Sequence, residues 1–127
     1  MIDAVETIKD WLVDSGLVTD YKIQADQFKD SNVNTDKFLI LYPNGGLIDG
    51  SLQENPGVRL LIMSGVESPS RGAGSIMQTA LDIIDYSRVV PEFGCLALIQ
   101  VINMPSGVGR SENRRAFLEL NFLTIIK

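Results

Sequence analysis

The sequence predicts an α+β fold: a mainly antiparallel sheet packed by two helices, with a long C-terminal β-hairpin. Three observations predict it. Two stretches carry apolar residues at three- and four-residue spacing, which gives a helix one buried stripe. Other stretches are apolar or alternating and are bounded by Gly, Pro, Asn and Asp, as strands are. Hairpin-like connections dominate, so only the second helix can serve as a crossover.

The first helix carries Ile2, Val5, Ile8, Trp11 and Leu12 on one face. Asp3 and Glu6 have the spacing of a capping box, and Gly16 is suited to the C′ stop. Residues 21–28, YKIQADQF, read as a modest strand, and 30–36, DSNVNTD, as loop. The run 37–43, KFLILYP, is a strand that Pro43 is expected to end. Asn44, Gly45 and Gly46 form a turn, Asp49-Gly50 gives a second turn signal, and 44–56 reads as a mobile loop.

Residues 57–65, GVRLLIMSG, form the next strand, and 68–74 a connecting loop. The second helix, over 71–88, lines Ala73, Ile76, Met77, Ala80, Ile83, Ile84 and Ser87 on one face. Ser75 and Gln78 have capping-box spacing, and Pro91 and Gly94 close the segment. The chain ends in a strand at 95–103, a loop at 104–113 and a return strand at 114–127. In that last strand Ala116, Leu118, Leu120, Phe122 and Ile126 share one face. Arg115, Glu119, Asn121 and Lys127 share the other, interrupted by Phe117, Leu123 and Ile125, so the outer face is expected to be partly covered.

At 127 residues, with no repeat or linker, the chain reads as a single α+β domain over 1–127. Its start has no basic n-region, so a cytoplasmic origin is expected, and no apolar run approaches the ~20 residues of a bilayer span. The net charge of −5 disfavours a phosphate backbone as partner. There is no histidine, which removes the commonest general base and metal ligand. The lone Cys95 cannot form an internal disulfide or a cysteine-rich zinc site, and reads as a small buried hydrophobe.

Little else points to chemistry. The 72–74 GAG turn lacks a dinucleotide fingerprint and a P-loop lysine. Asp82 and Asp85 lie three apart on a polar helix face, where an ion pair with Arg88 is the simpler reading. No catalytic residue, metal site or cofactor is expected. The unusual stretch is 107–117, GVGRSENRRAF, where Arg110, Arg114 and Arg115 surround Glu112. In an otherwise acidic chain such a loop is either a solvated tip or an arm that docks on a neighbouring acidic subunit.

The C-terminal run GRSENRRAFLELNF, residues 109–122, resembles the closing hairpin of phage tail terminator proteins of long, non-contractile tails. The N-terminal helix ending WLVDSGL, the run KFLILYPNGG and the strand VRLLIMSG resemble the same family, in order and spacing along nearly the whole chain. The resemblance implies a homo-hexameric ring on the head-proximal end of the tail tube, assembled in the host cytoplasm. Such a ring stops tube polymerisation and meets the tail tube protein on one side and a head-completion protein on the other. No membrane and no nucleic-acid sequence recognition are expected, on the same absence of an apolar span and the same net charge. Carried onto this chain, the resemblance makes Arg110, Glu112, Asn113, Arg114 and Arg115 subunit or tube contacts. Asn44, Gly45, Gly46, Asp49 and Arg71, in the 44–56 and 66–74 loops, are the next assembly candidates. Reversing Arg114 and Arg115 to Glu is then expected to block assembly without unfolding the subunit. The alternatives are a head-completion or neck connector protein and a small α+β ligand-binding module.

Overall fold

The computed structural model describes residues 4–33, 35–48, 54–66, 69–105, 109–110 and 115–126; in 46–48, 54, 69–74 and 110 it describes the backbone. The elements in order are α1 (Ala4–Ser15), β1 (Tyr21–Ala25), β2 (Lys37–Ile48), β3 (Glu54–Val66), α2 (Pro69–Val89), β4 (Leu96–Val101), β5 (Gly109–Arg110) and β6 (Arg115–Ile126). The strands form one sheet in the order β1-β2-β3-β6-β4, with β5 pairing β6. Only β1 and β2 run parallel; the other pairs are antiparallel. Because β3 and β4 both run opposite to β6, they run parallel to each other, and α2 is the crossover that this requires.

Both helices cover one face of the sheet. Alternation sends Leu39, Leu41, Val58, Leu60, Ile62, Leu118, Leu120 and Phe122 to that face, where they meet Ile8, Trp11 and Leu12 of α1 and Ile76, Ala80 and Ile83 of α2. Trp11 ties the layers together. Its ring is fully buried 5.0 Å from Tyr86 and 5.9 Å from Phe122, and its indole N–H donates to the Val90 carbonyl at 3.0 Å. Gly16 closes α1 at φ 73°, with its N–H on the Val13 carbonyl at 3.3 Å. Cys95 is half-buried against this core, 3.5 Å from the Thr7 hydroxyl, so it is less enclosed than a buried hydrophobe.

The opposite face carries a second apolar cluster, built from Phe38, Ile40 and Met63 with Phe28, Tyr42, Leu61 and Phe117 against it. Phe28 does not belong to β1. That strand stops at Ala25, because Asp26 turns the chain at φ 66° while donating its N–H to the Leu41 carbonyl at 2.8 Å. The segment from 26 to 36 then crosses the outer face of the sheet to begin β2. Phe28 packs there against Phe38, with ring centroids 5.2 Å apart. The partial cover expected of the outer face is therefore this strap.

Element ends differ from the sequence reading elsewhere too: β4 stops at Val101, and β5 (Gly109–Arg110) lies within the 104–113 stretch read as loop. Pro43 does not end β2. The strand continues to Ile48, and β3 begins already at Glu54, so much of 44–56 is a strand pair rather than a loop. Proline fits because β1 has ended opposite Leu41, leaving β2 paired on one side only at Pro43. Helix α2 begins at Pro69, the first-turn position where a missing N–H costs nothing, so 69–74 is helix and the GAG turn lies within it. Ser75 and Gln78 are likewise mid-helix and cap nothing: the Ser75 carbonyl accepts from Thr79, and Gln78 donates to Asp82. Asp3 and the Asp49-Gly50 turn lie outside the described residues.

Candidate assembly surfaces

The register of the sheet sorts the candidate residues to its two ends. At one end β6 begins, β3 finishes at Val66 opposite Arg115, β5 pairs with β6, and α2 starts with Arg71 in its first turn. At the other end the β2–β3 pair holds Asn44, Gly45 and Gly46. Glu112, Asn113, Arg114 and Asp49 lie outside the described residues.

At the first end Arg110 pairs with Ala116 across the β5–β6 ladder, and Gly109 with Phe117. The Phe117 ring lies over Gly109 so closely that a Cβ there would stand 2.4 Å from it, which makes glycine the residue that fits.

Arg115 is placed quite differently from a solvated loop arginine. Its side chain is 1% exposed and lies on the outer face of the sheet, stacked 4.9 Å over the Phe38 ring. Nε and Nη2 donate to the two carboxylate oxygens of Asp30, both at 3.1 Å. Nη2 also donates to the Val33 carbonyl at 2.8 Å, and Nη1 to the carbonyls of Asp36 and Ser64. The physical logic is the strap's backbone. An irregular segment lying on a sheet has no ladder for its inward carbonyls, and buried carbonyls left alone are costly. A guanidinium supplies donors in a rigid fork, and the Asp30 carboxylate balances its charge. Charge reversal at Arg115 therefore probes the fold, so the expectation that the subunit survives reversal of both Arg114 and Arg115 does not suit Arg115.

The strand β3 is shaped for the same contact. Ser64 and Gly65 together oppose the single residue Ala116, a bulge between the pairs Met63–Phe117 and Val66–Arg115. The bulge turns the Ser64 carbonyl toward Arg115, and the Ser64 hydroxyl accepts from the Ala116 N–H at 3.0 Å. Around the strap, Gln24 brackets Lys29 by donating to its carbonyl at 2.8 Å and accepting from its N–H at 2.9 Å. Asp36 accepts from Lys22 at 2.7 Å and from Ser31 at 2.6 Å, and these bonds, the lysine's first, hold its carboxyl below the usual value.

Three large apolar side chains are exposed at or near this end: Val33 at 47%, Ile102 at 57% and Met104 at 68%. Val33 belongs to the strap, and Ile102 and Met104 lead from β4 toward the hairpin. Sequence reading missed all three, since an apolar residue in a loop gives no sign of whether the fold will cover it.

At the opposite end, Asn44 and Gly45 oppose the single residue Gly57 in a second bulge. Gly45 takes φ 67°, and Gly57 approaches the Asn44 carbonyl so closely that a Cβ would stand 2.8 Å from it. Asn44 donates to the Asn121 side chain at 2.8 Å, which fastens the bulge to β6. Beyond it, β2 and β3 stay paired from Gly46–Pro56 to Ile48–Glu54, while the β3–β6 ladder stops at Gly57–Leu123. A two-stranded arm thus leaves the sheet.

Elsewhere the acidic pair is ordinary. Asp82 accepts from Gln78, and Asp85 faces Arg88 at 3.8 Å, exposed on both sides. Among the described residues no group of His, Cys, Asp and Glu is arranged to hold a metal ion, and no helix is long and apolar enough to cross a membrane. No curated protein matches the sequence. The model of a family described as phage tail termination protein matches residues 1–127.

Proposed function

The chain belongs to the phage tail termination protein family, and from that premise we propose that it closes a phage tail as a ring of its own copies. The ring sits on the head-proximal end of the tail tube, stops addition of tube subunits and offers the surface that the head joins. A hexamer assembled in the host cytoplasm is the form the resemblance implies. The role is structural, with no turnover, no cofactor, no membrane and no nucleic-acid sequence recognition. The partners are further copies of the chain, the tail tube protein and a head-completion protein.

The observation that carries this reading is the placement of two candidate contact regions at opposite ends of one sheet. Arg110, the first turn of α2 with Arg71 and the exposed Ile102 and Met104 gather at one end. The arm that starts at Asn44, Gly45 and Gly46 and is paired as far as Ile48 and Glu54 leaves from the other. A subunit that stands between a tube and a head needs two such ends, with lateral contacts between copies closing the ring.

The test is absolute mass by light scattering over a concentration series, followed by imaging of tail tubes polymerised with the protein present. A discrete ring-sized species and tubes of arrested length with a cap on one end are expected. Tubes that grow unchanged at saturating protein would overturn the reading. A ring that binds heads but leaves tube growth untouched would favour a neck connector instead.

A further inference from the structure

We propose that Arg115 is a positioning residue that couples the strap, which runs from Asp26 to Asp36, to the start of the β5–β6 ladder at Gly109–Phe117 and Arg110–Ala116, so that the two open and close as one unit. The strap then belongs to the same assembly surface as Arg110, a consequence that rests on the proposed role of Arg110 as a contact.

The strap meets the body of the protein through two sets of contacts that converge on β6. Phe28 packs on Phe38 within the cluster that Phe117 completes, and Phe117 is the β6 residue that pairs with Gly109 of β5. Arg115 binds the strap at Asp30, Val33 and Asp36, and it is the residue that opens β6 directly after the hairpin tip. Its fork spans the strap and the Ser64 carbonyl together, while the Ser64 hydroxyl holds the Ala116 N–H, the residue that pairs with Arg110. Asp26 and Asn32 both take positive φ, at 66° and 61°, a backbone conformation that tertiary packing must hold in place. Lifting the strap removes Asp30, Val33 and Asp36 as partners of the Arg115 side chain, and with them support for the start of the β5–β6 ladder. A buried guanidinium without its carboxylate cannot keep its place, so the two segments are expected to release together.

Hydrogen exchange on the isolated protein, kept dilute enough to remain unassembled, tests this with Asp30→Asn, which removes the charge partner and leaves the fork its carbonyls. Exchange at least tenfold faster in both 27–36 and 109–117, with 58–62 and 118–122 unchanged, is the expected result. Faster exchange in 27–36 alone would overturn the coupling, because a purely local role for Arg115 would loosen only the strap. If Asp30→Asn speeds exchange across β2, β3 and β6, Phe28→Leu replaces it, and the joint or separate response of the two segments decides. The experiment needs no ring, so a failure of the proposed function leaves its answer intact.

Discussion

Arg115 and Asp30 stand 85 residues apart in the chain and meet side on, Nε to Oδ2 and Nη2 to Oδ1, each at 3.1 Å. The arginine side chain is 1% exposed and the aspartate 12%. Taking either charge alone leaves the other buried without its partner, whereas the pair together lets the guanidinium satisfy the Val33 and Asp36 carbonyls of the strap.

Arg115→Met is therefore expected to lower the unfolding free energy by about 3–5 kcal/mol, the range seen when one member of a buried ion pair is removed. Arg115→Lys is expected to recover little, since a single ammonium cannot span Asp30 and the carbonyls of Val33, Asp36 and Ser64 as a planar fork does. Urea denaturation of the three proteins measures both. A Met variant within about 0.5 kcal/mol of the parent, the scatter of ordinary surface changes, would show that the network contributes nothing net.

Charge reversal must be placed away from Arg115 to probe assembly. Arg110→Glu combined with Arg114→Glu is expected to abolish the ring-sized species in light scattering while the urea midpoint stays put. An unchanged mass distribution would remove these arginines from the contact surface.

Gly57→Ala tests the root of the two-stranded arm. Its Cβ would meet the Asn44 carbonyl oxygen at 2.8 Å, a backbone atom that cannot swing aside. The expected cost is about 1–3 kcal/mol, as for other overpacked positions. The hydrogen bond from Asn44 to Asn121 is expected to break as the bulge shifts. A chemical-shift map confined to residue 57 and its neighbours, with no stability change, would contradict this.

Acid should weaken the fold through two aspartates held below the ordinary value of 3.8. The hydrogen bond from Lys37 lowers Asp20, and those from Lys22 and then Ser31 lower Asp36. A lowered carboxyl binds its proton more readily in the unfolded chain, so its contribution is complete above the ordinary value and disappears as pH falls through the lowered one. Asp20 and the Lys22 that pairs with Asp36 are each 59% exposed, so both pairs are screened and the contribution of each is small. The melting temperature is expected to be flat from pH 7 to about 5 and to fall below about 4. Asp36→Asn should flatten part of that fall, and an identical acid limb in the variant would exclude Asp36 as a source.

The sequence by itself determined the elements and the sides they bury. Period-2 alternation over 116–126 and the helical spacing of Ile8, Trp11, Leu12, Ile76, Ala80 and Ile83 record which face meets the core, because burial selects residue type at each position. The resemblance of the 109–122 run pointed to the family that the family match supports over 1–127. The passage of β2 through Pro43 and the start of α2 at Pro69 were set by surroundings: a proline is tolerated where one side of a strand is unpaired or where a helix begins. What only the tertiary structure decided is the fate of individual charges and loops. Arg115 reads in sequence as one of three arginines near a loop tip, and Asp30 as ordinary loop chemistry. Their pairing depends on a strap laid over the outer face and a bulge at Ser64–Gly65, both products of long-range packing. Periodicity reports the face a side chain takes within its own strand; it carries no information about which distant backbone will cross that face and need its donors.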